Sequence, residues 1–248
     1  MSLSIKNLVK KYPNADKTTL EDINLEISDG EFVCIVGSSG CGKSTLLTIV
    51  AGLEDATSGE VFLDGKPITA PGADRIVMFQ EHGLFPWLNV YENVTFGMNL
   101  HGVPKEEQAE KAKHYLELVH LYEYKDYAIH QLSGGMRQRT ALARALTMDS
   151  KILLMDEPFA SLDKQTSNRL REELQRIWQE TRRTVLFITH SVEEAIYLAD
   201  RVVVLSPAKK GIQDIVSIDL PRPREVYSPE FTSLRHRILD EVREGGEN

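Results

Sequence analysis

Residues 32–45 read Phe32-Val33-Cys34-Ile35-Val36-Gly37-Ser38-Ser39-Gly40-Cys41-Gly42-Lys43-Ser44-Thr45. The first five residues form an apolar run typical of a buried strand, and the segment after them fits the phosphate-binding pattern G-x-x-x-x-G-K-[ST]. In such a loop the glycines let backbone N–H groups surround the phosphates, Lys43 reaches the terminal phosphates, and Ser44 offers its hydroxyl to Mg²⁺. Because Lys43 to Ala51 reads as a helix that stops at Gly52, the loop has the strand and the helix that this motif requires. The segment predicts a nucleoside triphosphate site.

Four more apolar runs predict buried strands: Ile76 to Phe79, Ile152 to Met155, Val185 to Thr189 and Val202 to Leu205. Runs that are apolar throughout are typical of parallel strands covered on both faces. Helical segments alternate with them, marked by Leu170, Leu174, Ile177 and Trp178 at helical spacing, and by a capping box at Ser191 to Glu194 that opens a helix to Asp200. The alternation predicts an α/β fold of the P-loop NTPase type, with a doubly wound, mainly parallel sheet.

Two subdomains are expected beside this sheet. Val61 to Leu63 followed by Asp64-Gly65 has the signature of a hairpin, which predicts an antiparallel β subdomain. Between Glu81 and Ser150 the strand signals disappear, while Pro104 to His120 and Gly134 to Met148 read as helices. An inserted helical subdomain is therefore expected.

The chain is expected to form one nucleotide-binding domain over residues 1–248. Within it the helical subdomain covers about 82–150, and a C-terminal surface appendage, with Pro221-Arg222-Pro223-Arg224 at its start, covers about 221–248.

Composition narrows the function classes. The 248 residues are 42% hydrophobic and 27% charged, enough for a well-buried α/β domain with a smaller lobe. The net charge of -8 argues against a nucleic-acid binder that relies on general phosphate attraction. Two cysteines cannot form a disulfide framework, so a reducing, cytosolic compartment is expected. No segment approaches the roughly 20 apolar residues that span a bilayer, so a membrane role would require another polypeptide.

An acidic pair, Asp156-Glu157, closes the apolar run that begins at Ile152. Parallel α/β sheets place their ligands at the carboxyl ends of strands, where this pair lies. Asp156 is suited to holding Mg²⁺ through its water shell, and Glu157 to orienting and deprotonating an attacking water. The alternative is an acidic strand end that meets a helix terminus.

A second anion site is indicated by Leu132-Ser133-Gly134-Gly135-Met136, a Ser-Gly-Gly turn that opens a helix. No phosphate-binding loop lies next to this turn in the sequence. The turn therefore needs a phosphate from elsewhere.

The set of motifs resembles the nucleotide-binding subunit of an ABC transporter over essentially the whole chain. In chain order the set comprises the phosphate loop, Gln80 at a strand end, the Ser-Gly-Gly turn, Asp156-Glu157, Ser161-Leu162-Asp163, and His190 after a strand. Met136 departs from the glutamine often found at that position. The departure leaves the backbone anion site intact but puts a side-chain hydrogen bond in doubt.

The resemblance assigns roles to further residues. Tyr12 would stack on adenine, Gln80 would reach Mg²⁺ and water and act as a hinge, and His190 would contact the γ-phosphate. Each has a structural alternative: an ordinary strand-end aromatic, a solvated glutamine and a structural histidine.

The resemblance also implies an assembly. Ser133, Gly134 and Gly135 would grip the γ-phosphate held by a second copy, so that two chains sandwich two ATP molecules, and Asp163 would lie at the seam. Loss of the bridging phosphate on hydrolysis would open the clamp.

Partners follow from the same resemblance: transmembrane permease subunits at the cytoplasmic face of the membrane and, indirectly, an extracytoplasmic binding protein, with no direct nucleic acid. Phe85-Pro86-Trp87-Leu88 and Leu220 to Arg224 resemble the importer branch for nitrate, sulfonate and taurine. Phe85, Pro86, Trp87, Tyr91 and Phe96 would line the groove for a permease helix or belong to the core of the lobe. The rivals are a non-transport ATPase that clamps nucleic acid or a ribosome, and a small-molecule kinase.

Overall fold

The computed structural model describes residues 2–13, 15–79, 83–160 and 162–245. They fall into two compact units, each described by itself. The first, here called the core unit, comprises Met1–Gly72 and Arg182–Asn248, and the second, here called the inserted unit, comprises Ala73–Thr181.

In chain order the strands are β1 (Ser2–Lys10), β2 (Leu20–Ser28), β3 (Phe32–Val36), β4 (Ser58–Leu63), β5 (Lys66–Pro67), β6 (Arg75–Met78), β7 (Ile152–Asp156), β8 (Thr184–Ile188), β9 (Arg201–Ser206) and β10 (Gly211–Ser217). The α-helices are α1 (Lys43–Val50), α2 (Val90–Leu100), α3 (Lys105–Leu118), α4 (Gly134–Thr147), α5 (Lys164–Thr181), α6 (Val192–Leu198) and α7 (Pro229–Glu244). The predicted strands and helices are present to within a few residues, while β1, β2, β10, α2 and α7 are elements that the sequence analysis missed.

The core unit contains a mainly parallel sheet with strand β3 at its centre. Strand β3 pairs in parallel with β8 on one side and with β9 on the other, and β10 is antiparallel to β9. All residues of β3 and β8 are buried, as expected for parallel strands covered on both faces. Ile35 pairs with Ile188, so the carboxyl ends of β3 and β8 meet at the same edge of the sheet.

A second sheet of the core unit is antiparallel, with the order β2-β1-β4-β5. The predicted hairpin is confirmed: β4 and β5 are joined by Asp64 and Gly65, which have φ values of 53° and 72°. Two consecutive positive φ values are typical of a type I′ hairpin turn. In β2 buried and exposed residues largely alternate, since only one face of this sheet is covered.

The inserted unit combines the parallel pair β6 and β7 with helices α2 to α5. Among the described residues from 83 to 150 the regular elements are helices and two short 3₁₀ turns, which confirms the predicted helical character. Helices α2 and α4 approach closely near Gly97, where a Cβ would lie 2.7 Å from Sδ of Met148. Helix α2 begins at a capping box formed by Asn89 and Glu92.

The C-terminal segment belongs to the core unit and packs against its other elements. Helix α7 contacts α6 and β9, with Phe231 and Ile238 buried. Before it, the guanidinium of Arg224 donates to the carbonyl oxygens of Ile196, Ala199 and Ile218. Two of these carbonyls belong to the end of α6, so Arg224 caps that helix. In the part of the chain that is described, no helix is long and apolar enough to cross a bilayer.

Candidate functional site

The phosphate loop connects β3 to α1 in the core unit. The chain leaves the strand through Gly37, where a Cβ would lie 2.5 Å from the carbonyl oxygen of Leu205. Gly42, at the N-cap of α1, has a φ of 99° and would place a Cβ 2.5 Å from Cδ2 of Leu20. Both positions require glycine, because other atoms of the core unit occupy the space of a side chain.

Lys43 begins α1 and folds back over the loop. The residue is buried, and its Nζ donates hydrogen bonds to the carbonyl oxygens of Gly37 at 2.9 Å and Ser38 at 3.1 Å. These acceptors are neutral, whereas a phosphate oxygen is charged and forms a stronger bond with an ammonium group. Lys43 is therefore placed to exchange loop carbonyls for phosphate oxygens.

The loop also contains groups that suit an anion. The first turn of α1 receives no side-chain cap, and N–H groups at a helix start attract negative charge. The Oγ of Ser38 is buried and has no hydrogen-bond partner among the described residues. An unsatisfied hydroxyl and an uncapped helix start fit the phosphates of a nucleotide, which would accept from both.

Cys41 lies inside the loop and is 1% exposed. Burial raises the pKa of its thiol above the ordinary 9.0, and the nearby Lys43 ammonium offsets part of that rise. Cys34 in β3 is also a free, buried thiol. Neither cysteine forms a disulfide, and a protonated Cys41 packs as a small apolar group.

Tyr12 lies beside α1 and is fixed by three contacts. Its hydroxyl donates to Oε2 of Glu54 at 3.1 Å and lies 3.3 Å from Oγ1 of Thr45. The Nζ of Lys10 lies 4.9 Å from the ring centroid and pairs with Glu54 at 3.0 Å. The ring is thus held beside the helix that carries Lys43, with 36% of the residue exposed.

His190 is exposed two residues after the end of β8, at the same sheet edge as the phosphate loop. Its neighbours fix the turn that carries it. Oγ1 of Thr189 donates to Oε2 of Glu194 at 2.6 Å and accepts from the backbone N of Ser191 at 3.0 Å. The Oγ of Ser191 accepts from the backbone N of Glu194, so the predicted N-cap is present, but the Glu194 carboxylate bonds Thr189 instead of closing the box.

In the inserted unit, β7 brings Asp156 and Glu157 to its carboxyl end. Ile152 to Met155 are buried, whereas both acidic residues are half-buried. Glu157 has a φ of 45°, and its carbonyl accepts from the backbone N of Ala160 at 3.2 Å. The chain therefore turns directly after the strand, and the uncommon positive φ shows that its surroundings impose this backbone.

The Ser-Gly-Gly turn starts α4 as predicted. Ser133 is the N-cap, and its Oγ accepts from the backbone N of Met136 at 3.3 Å. A Cβ on Gly134 would meet nothing within 4 Å, so the backbone here is open. A Cβ on Gly135 would lie 2.8 Å from Cγ2 of Thr166, which belongs to the first turn of α5. The starts of α4 and α5 are therefore in close contact.

Asp163 fixes the other side of that contact. Its carboxylate accepts from the backbone N of Thr166 at 3.0 Å and from Oγ1 of Thr166 at 2.7 Å. These bonds, the side-chain bond first, lower the pKa of Asp163. Asp163 thus caps α5 and holds the methyl group that faces Gly135.

The aromatic residues after Gln80 form a surface cluster. The ring of Phe85 lies 4.3 Å from that of Phe96 and 5.4 Å from that of Trp87, and Trp87 is 74% exposed. Two residues that the sequence analysis missed fix this segment. The side chain of Asn93 bonds both the N and the O of Phe85, while Arg144 donates to the carbonyl of Gly83 and lies over the Phe85 ring.

Asn93 could have been found from the sequence. The pair Asn89 and Glu92 has capping-box spacing, which marks the start of α2 and places Asn93 in its first turn.

Burial of Arg144 lowers the pKa of its guanidinium. No sequence pattern indicates the contact of this residue with Phe85, since the two lie 59 positions apart.

The predicted site residues thus form two groups. Tyr12, the loop from Gly37 to Thr45 and His190 lie in the core unit. Asp156, Glu157, the Ser133 turn and Asp163 lie in the inserted unit. Gln80 and Ser161 lie outside the described residues.

Comparison with known proteins identifies relatives. Residues 20–160 match the family model described as ABC transporter. An uncharacterized ABC transporter ATP-binding protein of Methanocaldococcus jannaschii is 50% identical over 98% of this chain and 92% of its own length. The nitrate import ATP-binding protein NrtD of a Synechocystis species is 50% identical over 91% of this chain and 85% of its own. The bicarbonate transport ATP-binding protein CmpC of Synechococcus elongatus is 44% identical over 96% of this chain and 37% of its own.

Solved structures agree with these relatives. A bacterial ABC transporter cassette, solved as a dimer, matches with a TM-score of 0.77 and 30% identity over 87% of this chain and 98% of that chain. CbiO1 of Clostridium perfringens, part of the ABC transporter complex CbiONQ, matches with a TM-score of 0.81 and 28% identity over 98% of this chain and 96% of that chain. The predicted fold class, an α/β P-loop NTPase with an antiparallel and a helical part, is confirmed.

Proposed function

The chain belongs to the ABC transporter family as an ATP-binding subunit, and we propose that it hydrolyses ATP to power an importer of a small anion such as nitrate, a sulfonate or taurine. The observation that carries the ATPase assignment is the phosphate loop between β3 and α1, with the buried Ser38 hydroxyl and the inward Lys43. Similarity to the nitrate and bicarbonate subunits supports the anion importer, because both relatives serve small oxyanions.

Binding of the adenine and the phosphates of ATP is assigned to the core unit. The loop N–H groups, Ser38 and Lys43 would hold the phosphates, Tyr12 would stack on adenine, and Ser44 together with Asp156 and Gln80 would hold Mg²⁺. Hydroxyl, carboxylate and amide oxygens are ligands that suit this ion. When bound, Mg²⁺ neutralises charge on the phosphates.

Hydrolysis is assigned to Glu157 and His190. Glu157 would accept a proton from the attacking water. The backbone conformation at its positive φ would fix the position of the Cα from which the Glu157 side chain extends. His190 would contact the γ-phosphate from the sheet edge that also carries the loop.

Pairing of two chains is assigned to the Ser133 turn and Asp163. The turn has an open backbone at Gly134, at the start of a 14-residue helix whose dipole favours a negative group. A related cassette forms a dimer, which supports a homodimer here. Each γ-phosphate would then be bound by two copies, and its loss would release them.

Attachment to the membrane is assigned to the aromatic cluster of Phe85, Trp87 and Phe96. An exposed tryptophan on a fixed loop is the kind of residue that dominates protein interfaces. Transmembrane permease subunits would dock there, which would bring the chain to the cytoplasmic face of the membrane. An extracytoplasmic binding protein would interact only through the permease.

The test uses Glu157→Gln. ATP should still bind, kcat should fall at least about 100-fold because the base is lost, and the 28.0 kDa chain should elute as a dimer in Mg-ATP. The matched control is Glu172→Gln, which changes an exposed glutamate on α5. This variant should have the same turnover and the same apparent mass on elution as the parent. A Glu157→Gln protein that hydrolyses normally, or stays monomeric at saturating Mg-ATP, contradicts the proposal.

Mixing two inactive variants tests the shared sites. Lys43→Ala removes a phosphate ligand and Ser133→Arg blocks the second anion site, so a mixed dimer keeps one intact site formed by both chains. Activity should appear on mixing that neither variant has alone. Mixed dimers that form but remain inactive would exclude sites shared between copies.

A further inference from the structure

Gln138 is a buried polar residue on α4, five positions after Ser133. It is 1% exposed, and neither its amide nitrogen nor its amide oxygen has a hydrogen-bond partner among the described residues. Buried amides are nearly always hydrogen-bonded, since leaving both ends unsatisfied opposes folding. An exception of this kind requires an explanation.

The described surroundings of Gln138 do not satisfy its amide. Gln138 lines a small cavity whose other lining is apolar, with Met155 and Leu142 among its side chains. The free space is too narrow to admit a water molecule. Solvent therefore cannot supply the missing bonds there.

The same cavity adjoins the catalytic turn. Met155 immediately precedes Asp156, while Pro158 and Phe159, which also line the cavity, immediately follow Glu157. The carbonyl oxygens of Glu157 and Phe159 already accept from the backbone N of Ala160 and Leu162, both at 3.2 Å. Each carbonyl has a second lone pair, so the turn can accept from Gln138 without losing its own bonds.

We propose that Gln138 is a positioning residue for ATP hydrolysis: when α4 engages nucleotide, its side-chain NH₂ donates to a backbone carbonyl of the turn Glu157–Ala160 and fixes the carboxylate of Glu157. The inference rests on the proposed function. In the described arrangement the amide is unsatisfied, and in the arrangement proposed for the nucleotide-bound chain it is paired. The difference favours the bound arrangement and links the Ser133 turn to the catalytic residue within one chain.

The test is Gln138→Met, which keeps the volume and removes both polar ends. Without nucleotide the variant should melt about 2–4 °C above the parent or more, because an unsatisfied amide is gone. Its kcat should fall at least about 5-fold, because the hydrogen bond that positions the Glu157 turn is lost. In a Glu157→Gln background with Mg-ATP, the melting temperature of the double variant should instead lie below that of Glu157→Gln alone.

The opposite signs are the decisive readout, because a residue that only fills the core would change stability in the same direction in both states. Leu142→Met, on the same helix and facing the same cavity, is the control and should leave kcat unchanged. Gln138→Leu repeats the test with a second apolar side chain. If neither apolar variant folds, or both fold with unchanged kcat, the inference is wrong.

The ATPase activity of the unsubstituted chain distinguishes a failure of this inference from a failure of the proposed function. A parent chain and a Leu142→Met control that both lack ATPase activity would contradict the proposed function itself. Active parent and control proteins beside an equally active Gln138→Met would overturn only the role of Gln138.

Discussion

Gly134 and Gly135 are adjacent in the sequence but should respond oppositely to the same substitution. In Gly135→Ala the new Cβ would lie 2.8 Å from Cγ2 of Thr166, against an ordinary contact of at least about 3.4 Å. Thr166 cannot rotate away freely, because its hydroxyl is bonded to Asp163 at 2.7 Å. Overpacking of this kind costs about 1–3 kcal/mol, while replacing glycine in a helix returns about 0.5–1 kcal/mol. The net loss is therefore up to about 2.5 kcal/mol.

In Gly134→Ala the Cβ meets nothing within 4 Å, so only the gain in helix propensity remains. Because Gly134 is the first residue of α4, stability should rise by at most about 1 kcal/mol. The methyl group would nevertheless stand on the open backbone that is proposed to bind a γ-phosphate. ATPase activity should therefore fall although the fold is more stable.

The assay is thermal unfolding of the nucleotide-free proteins, followed by steady-state ATPase measurements. For a chain of this size 1 kcal/mol corresponds to about 2–4 °C, so Gly135→Ala should lower Tm by up to about 10 °C and Gly134→Ala should raise it by up to about 4 °C. Thr166→Ser removes Cγ2 but keeps the hydroxyl for Asp163, and adding it to Gly135→Ala should restore most of the loss. Equal Tm changes for the two glycine variants, or no restoration by Thr166→Ser, would refute the reasoning.

Three further predictions concern separate parts of the chain. Because burial raises the pKa of the Cys41 thiol above 9.0, the rate at which Cys41 is alkylated should rise with pH through a midpoint above that value. Alkylation at this position should be slower in Mg-ATP and absent in Cys41→Ser, and a midpoint below 9.0 would contradict the burial argument. Trp87→Ser should change stability by no more than about 0.5 kcal/mol but weaken capture of permease subunits at least about tenfold. Leu100→Ser, at a residue that is 72% exposed, should leave capture unchanged. Equal capture by the Trp87→Ser and Leu100→Ser variants would argue against docking at Trp87. Arg224→Met should destabilise the chain by about 2–4 kcal/mol, because the carbonyls that Arg224 bonds lose their partner. Burial lowers the Arg224 pKa only to about 10, so the guanidinium is charged below pH 9 in both the folded and the unfolded chain, and the loss of stability should be constant there. A loss that changes between pH 6 and 9 contradicts that assignment.

The parts of the fold that the sequence predicts well are those whose pattern has a single cause. The strand from Phe32 to Val36 is apolar throughout because both faces are covered, and the loop after it must contain glycine because Leu205 and Leu20 fill the side-chain space. The hairpin at Asp64-Gly65 is equally local, since only its two positive φ values have to be satisfied.

The missed elements carry patterns that tertiary contacts alter. In α2 the polar side chains of Asn93 and Thr95 are buried and bond the main chain, so the apolar period of a helix is interrupted. Strand β2 is an exception, since its apolar and polar residues alternate from Ile23 to Ser28 and a period of two predicts a strand with one covered face. The contact of Gly135 with Thr166 and the unsatisfied amide of Gln138 depend on how α4 packs, which no short window of sequence contains.

The two arginines of the Pro-Arg repeat, Arg222 and Arg224, affect how the transported molecule can be assigned. Arg222 donates to the Leu198 carbonyl and pairs with Asp200, and Arg224 bonds the last turn of α6, a helix of only seven residues. So short a helix depends on its ends, and its first residue follows directly on the turn that contains His190. The Pro-Arg repeat therefore stabilises the end of α6, which is a property of the fold of this subunit. The same repeat in a relative therefore indicates a shared α6 terminus, not a shared cargo.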